Sequence, residues 1–184
     1  MNVVQIVAPT SEPITLDEAK LAMRVLEDFD DTLINTMIAD AREYAEDYTN
    51  RQFMPATFEL YTDKFVQDMK MRKNPIKSIE KIEYMDENGN YQILGTDNYY
   101  LYGDNDIYRI HFEKIVPHKK HKEAIKITFV AGYDKVPNQI VAFIRALTGT
   151  TYEKRELYSE GIPINTFANP MMHNMINMYR IQPL

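Results

Sequence analysis

The chain has 184 residues, 45% of them hydrophobic and 26% charged, with a formal net charge of −6 and no cysteine. That length and balance fit one globular domain, residues 1–184, with a core large enough to stand without staples, and the missing cysteines exclude disulfides, zinc ribbons, thiolate nucleophiles and iron–sulfur clusters. The acidic balance argues against general nucleic-acid binding, which needs a clustered positive surface, and the longest apolar runs, such as Ile140 to Ile144, are too short to span a bilayer.

The start, Met1 to Pro9, has no basic n-region and no cleavage signal, so the chain is expected in the cytoplasm where it is made. The first strong signal is Ile14-Thr15-Leu16-Asp17-Glu18-Ala19, in which Thr15 caps a helix and Glu18 closes a capping box. That helix runs through Ala19, Leu21, Met23 and Val25 and stops before Phe29, where Asp28, Asp30 and Asp31 gather as capping residues. A second helix comes next, with Leu33, Ile34, Met37, Ile38, Ala41, Ala45 and Tyr48 at three- and four-residue spacings. Its opposite face carries Asp40, Arg42, Glu43, Glu46 and Asp47, read as solvated charges, and it fades at Thr49-Asn50 ahead of Pro55.

From about 56 to 133 the pattern changes to short runs of β-branched and aromatic residues separated by turn residues. Thr57 to Phe65 reads as a strand. Ile79 to Met85 and Tyr91 to Leu94 read as a hairpin around Asp86-Glu87-Asn88-Gly89-Asn90. Tyr99 to Tyr102 and Ile107 to Phe112 form a second hairpin, and Ala124 to Ala131 alternates Ile125, Ile127 and Phe129 against Lys126 and Thr128, so one side of it is buried. Pro137 opens a third long helix in its first turn, with Ile140, Phe143, Ile144 and Leu147 as its stripe, ending near Glu156. Beyond Ser159 the Gly, Pro and Asn content predicts a mobile tail, in which Met171, Met172, Met175, Ile176 and Tyr179 form a short amphipathic segment suited to an interface. The fold class is therefore α+β: packed helices with an inserted, mainly antiparallel β region between the second and third long helices.

Few residues invite chemistry. His118 and His121 flank two lysines that oppose a cation, and the acidic cluster near residue 30 lacks the glycine and terminal glutamate of a calcium loop, so no metal is expected. Six glycines make no phosphate loop, and no nucleophile, base and orienting group stand together, so neither a catalytic set nor a cofactor is expected. The run from Lys114 to Lys122 is the one dense basic patch, and Lys114, Lys119, Lys120 and Lys122 are its candidate contacts to DNA phosphate or to an acidic partner; otherwise it is a solvated loop between strands.

Several of these stretches, taken in order, resemble phage head–tail connector proteins, the adaptor or head-completion type that docks beneath the portal. They are Ile14 to Lys20 with Arg24-Val25, Asp30 to Ile34, Ala41 to Arg51, Asn74 to Ile79, Tyr84 to Gly89, Ala131-Gly132-Tyr133 with Val136-Pro137, and Tyr152 to Glu156. The basic loop and the Asn- and Met-rich tail depart from that pattern. The resemblance implies a structural, non-enzymatic subunit of a homo-oligomeric ring in the virion neck, made in the bacterial host cytoplasm. Its implied partners are the portal and a further neck or tail protein, with DNA passing through without sequence-specific binding and no membrane contact. A heterologous contact whose rotation closes makes such a ring, and an acidic lining lets DNA slide. The alternative from the residues alone is a nucleic-acid-binding protein that uses the Lys114 to Lys122 loop.

Overall fold

The computed structural model describes residues 1–104, 107–154 and 170–182, with side chains of the last segment described from residue 172. Among the described residues eight strands and four α-helices succeed one another as β1 (Asn2–Val7), α1 (Leu16–Met23), α2 (Asp31–Thr49), β2 (Ala56–Thr62), β3 (Asp68–Lys70), β4 (Ile76–Met85), β5 (Tyr91–Ile93), β6 (Tyr99–Asp104), β7 (Ile107–Phe112), β8 (Ile125–Ala131), α3 (Asn138–Glu153) and α4 (Pro170–Asn177). The α+β class, with β2 to β8 between α2 and α3, is as the sequence predicts; β1, ahead of α1, is an addition to it. Packing divides the chain into a sheet unit, Met1–Thr10 with Met54–Asp134, and a helical unit, Ser11–Phe53 with Lys135–Leu184.

In the sheet unit every pairing is antiparallel. Five strands lie in the order β1-β2-β8-β4-β5 and three in the order β3-β7-β6. Strand β8 sits at the centre of the larger sheet because its Ile125, Ile127 and Phe129 are fully buried, and Phe129 stacks on Phe58 of β2 with ring centroids 5.7 Å apart. Fully burying such side chains contributes about 1.5–3 kcal/mol each, which is why this alternation fixes the register. The predicted strand to Phe65 ends three residues earlier, since Phe65 turns into the core edge-on to Phe112.

Two strands escape a local reading. β1 is rich in β-branched residues but almost wholly exposed, and among the described residues it pairs with β2 alone, fifty or more residues away in sequence. β3 has only three residues. The β8 strand ends at Gly132, whose φ of +135° is open to glycine, and a Cβ there would lie 2.6 Å from the Pro55 nitrogen.

The helical unit joins the α2 stripe of Ile34, Met37, Ile38, Ala41 and Ala45 to Ile140, Phe143, Ile144 and Leu147 of α3, all of them buried. Helix α1 carries the predicted capping box, with the Thr15 hydroxyl accepting from the Glu18 amide and the Glu18 carboxylate accepting from the Thr15 amide. Pro137 proves to be the residue before the first turn of α3, held extended at ψ 138°, one position earlier than predicted. No helix among the described residues is long and apolar enough to cross a membrane.

Candidate functional site

The connection from β7 to β8 holds the basic run. Lys114, Lys119, Lys120 and Lys122 are all exposed on it, and among the described residues none has an ion-pair partner. The loop is nevertheless fixed. The Lys119 amide donates to the Met85 carbonyl at 2.9 Å, and the Ala124 amide donates to the His121 carbonyl at 3.1 Å. His118 packs edge-on against Phe65 at 5.3 Å, its two ring nitrogens 3.1 Å from the Val116 carbonyl and 3.3 Å from that of Asp63. Between this loop and the end of β2 lies an open groove of about 820 Å³, lined by apolar Ile115, Val116 and Pro117 and by Lys64, Lys120 and Lys122, with Asp63 as its one acidic side chain. His118 and His121 both border it, each spent on backbone contacts, and among the described residues no three His, Asp or Glu side chains gather as a metal cage.

The second sequence-predicted set lies at the C-terminal end. Residues 170–177 form helix α4, with Met172 and Ile176 buried, Met175 half-buried and the half-buried Tyr179 donating its hydroxyl to Gln139 at 2.9 Å. Met171 belongs to α4, and its side chain lies outside the described residues. The end of α2 clasps the last turn of α4 and the residues beyond it: Tyr48 donates to the Asn177 side chain, Arg51 Nε to the Tyr179 carbonyl at 2.6 Å, and the Ile181 amide to the Thr49 carbonyl at 2.9 Å. The segment predicted to be a mobile tail thus contains a docked helix, because Met172 and Ile176, four apart, bury one face within the helical unit. The rest of that prediction, 159–169 and 183–184, falls outside the described residues.

Two charge readings are corrected. Arg42 and Glu46, expected on a solvated face, are 6% and 5% exposed. Arg42 donates from Nε to Glu12 at 2.7 Å and from Nη1 to Glu46 at 2.8 Å, while the other Glu46 oxygen accepts from Gln52 Nε2 and the Phe53 amide, each at 2.8 Å. Burial works against the Arg42 charge, yet Glu12 and Glu46 hold its pKa above the ordinary value. The aspartates before α2 do not cap it with their side chains either. Asp28 and Asp31 both accept from Lys20 Nζ, at 2.6 and 2.7 Å, and Asp30 accepts from the Tyr152 hydroxyl at 2.7 Å. The Lys20 hydrogen bonds push its pKa up to about 12 and hold Asp28 below the usual carboxylate range. Sequence periodicity alone has no means of pairing residues eight, eleven or thirty positions apart.

Comparison with known proteins agrees with the resemblance read from the sequence. A profile of the phage gp6-like head-tail connector proteins matches residues 13–89, a span that holds α1, α2, the buried Arg42–Glu46 network and the start of the β4–β5 turn. Among solved structures, a chain from the neck of an empty gene transfer agent particle, computed with C6 symmetry, superposes with a TM-score of 0.82 at 16% identity, covering 100% of this chain and 97% of that one. A chain from the virion of the native particle gives 0.80 at 17%, and one from the native neck with C12 symmetry gives 0.74 at 17%, with the same coverage. No curated protein sequence matches.

Proposed function

From the premise that residues 13–89 carry the head–tail connector pattern, we propose that this protein is a structural head-to-tail connector subunit of a tailed phage or related particle. It works by assembly, without catalysis. The observation that carries the reading is the agreement of the connector profile with a fold that superposes over the whole chain on chains from particle necks.

Identical subunits form a ring beneath the portal in the virion neck, and a further neck or tail protein binds the ring's other side. The subunits are made in the host cytoplasm. Neck relatives treated with sixfold and twelvefold symmetry support a rotational arrangement. A closed ring needs a heterologous contact, in which one patch binds a different patch of the neighbour. The net charge of −6 suits a channel through which DNA slides without being held. The rigid placement of α1 and α2 by buried ion pairs supports a scaffold that presents fixed surfaces.

The test is co-sedimentation of the full-length protein with its own portal ring in moderate salt, with an unrelated portal and short duplex DNA as controls. Saturable binding at a fixed ring ratio to the cognate portal alone is expected. Binding to DNA but not to portal would move the basic loop's nucleic-acid reading to the front.

A further inference from the structure

The link from α1 to α2 wears its residues inside out. Leu26 and Phe29 are 92% and 94% exposed, and Leu21, on the last turn of α1, is 81% exposed. Lys20 of the same corner is buried and grips Asp31 and the exposed Asp28, and Asp30 takes the Tyr152 hydroxyl. Arg24 closes α1 in a left-handed conformation, φ 58°, with the Arg24 and Val25 amides donating to the Leu21 and Lys20 carbonyls. The corner is therefore fixed by its charges while its largest apolar side chains stand in water. A contiguous exposed apolar patch with a polar rim is the signature of a contact surface.

Elsewhere on the chain is a surface of complementary character. The groove beside the basic loop is lined by apolar residues, Ile115 among them at 54% exposed, and by Lys64, Lys120 and Lys122 against the single acid Asp63. The corner offers apolar Leu26 and Phe29 flanked by acidic Glu27 and Asp28. We propose that the α1–α2 corner of one copy docks in the lysine-lined groove of the next, Phe29 and Leu26 against Ile115–Pro117 and Glu27 beside Lys120 and Lys122.

Corner and groove are different patches, so the contact is head-to-tail and closes into a ring when its rotation divides the circle. An aromatic anchor ringed by charge gives both affinity and register. Phe29, burying about 150–250 Å², supplies no more than about a third of the about 800 Å² per partner that a stable interface buries. The joint is accordingly an anchor, weak in a free pair and strong when each copy holds two neighbours. It also gives the Lys114 to Lys122 loop a protein partner in place of DNA.

This inference rests on the proposed ring, and its test separates the two. The chain has no cysteine, so engineered thiols report contacts without background. F29C and I115C, both at exposed positions, are mixed with cognate portal rings as template and mildly oxidised. A crosslinked dimer is expected only from the mixture, and the F29C/I115C double variant is expected to yield a ladder ending in a closed ring. In parallel, E27K and K120E are each expected to lower ring yield at least tenfold, and the combined variant to recover most of it. Rings that form normally but neither crosslink nor respond to the charge swap would overturn the joint and leave the ring standing. Folded protein that forms no ring on the portal would overturn both.

Discussion

Glu46 shows how a single carboxylate organises its surroundings: it takes hydrogen bonds from Arg42, Gln52 and the Phe53 amide at 2.8 Å each. Removing one partner of a buried pair leaves the other charge without compensation and costs about 3–5 kcal/mol. Glu46→Ala is therefore expected to lose about 3 kcal/mol in chemical denaturation, whereas Glu43→Ala, one turn earlier and 67% exposed at its side chain, changes stability by less than about 0.5 kcal/mol. Equal losses from the two variants would refute the buried network. The Lys20 clamp makes a second prediction at this scale. Because the folded pKa of Asp28 is depressed, its contribution to stability is present above the unfolded value and disappears as pH falls through the folded one. Lys20 is shifted upward, so its contribution is complete below its unfolded pKa and is lost as pH rises through about 12. Between those limits the corner stays clamped. An NMR titration should find the Asp28 carboxyl midpoint below about 3.9, the usual aspartate value, and Lys20→Met should return it there. Neither network is legible in the sequence. Arg42 lies four residues after Ile38, on the edge of the apolar stripe of α2 where charges ordinarily reach water, and Glu12 from ahead of α1 with Gln52 and Phe53 from beyond the helix end supply the partners that bury it and Glu46.

At the level of elements, whatever carries a local signature is readable. The Thr15–Glu18 capping box, the three-and-four spacing of α2, the turn at Asp86 to Asn90 and the alternation of β8 all rest on neighbours within a few residues, and each element stands where its signature predicts. β1 has no such signature, since its strand character comes from pairing with a segment that lies beyond two helices. For α4 the apolar spacing is visible but its destination is not: whether Met172 and Ile176 meet a partner or their own chain depends on the α2 and α3 surfaces. Gly132 is the sharpest test of element geometry. It lies in the Ala131-Gly132-Tyr133 stretch of the connector resemblance, and its positive φ leaves no room for a Cβ beside Met54 and Pro55. Gly132→Ala is expected to destabilise the sheet unit by about 2 kcal/mol or more, read by thermal unfolding. A neutral Gly132→Ala would mean that β8 ends differently.

For the whole molecule, the proposed connector role draws on three observations: an ordered series of weak stretches from Ile14 onward, a connector profile over residues 13–89, and a fold shared with particle-neck chains at 16–17% identity. At that level of identity the likeness speaks for the fold, and the profile match is confined to residues 13–89, α1 to β4. The partner-facing surfaces are the least readable part, because a surface is shaped by a neighbour that the sequence does not contain. The basic loop shows this: as sequence it offers DNA, an acidic partner or plain solvation, and the groove lined by Ile115, Val116 and Pro117 beside it is visible only in the fold. The co-sedimentation test bears most directly on the connector role, and it is best completed by imaging the bound complex. Full-length protein is expected to sit on its cognate portal as a closed ring at one fixed ratio, with none on an unrelated portal. Folded protein that leaves the cognate portal bare, at concentrations well above those needed for assembly, would contradict the connector role.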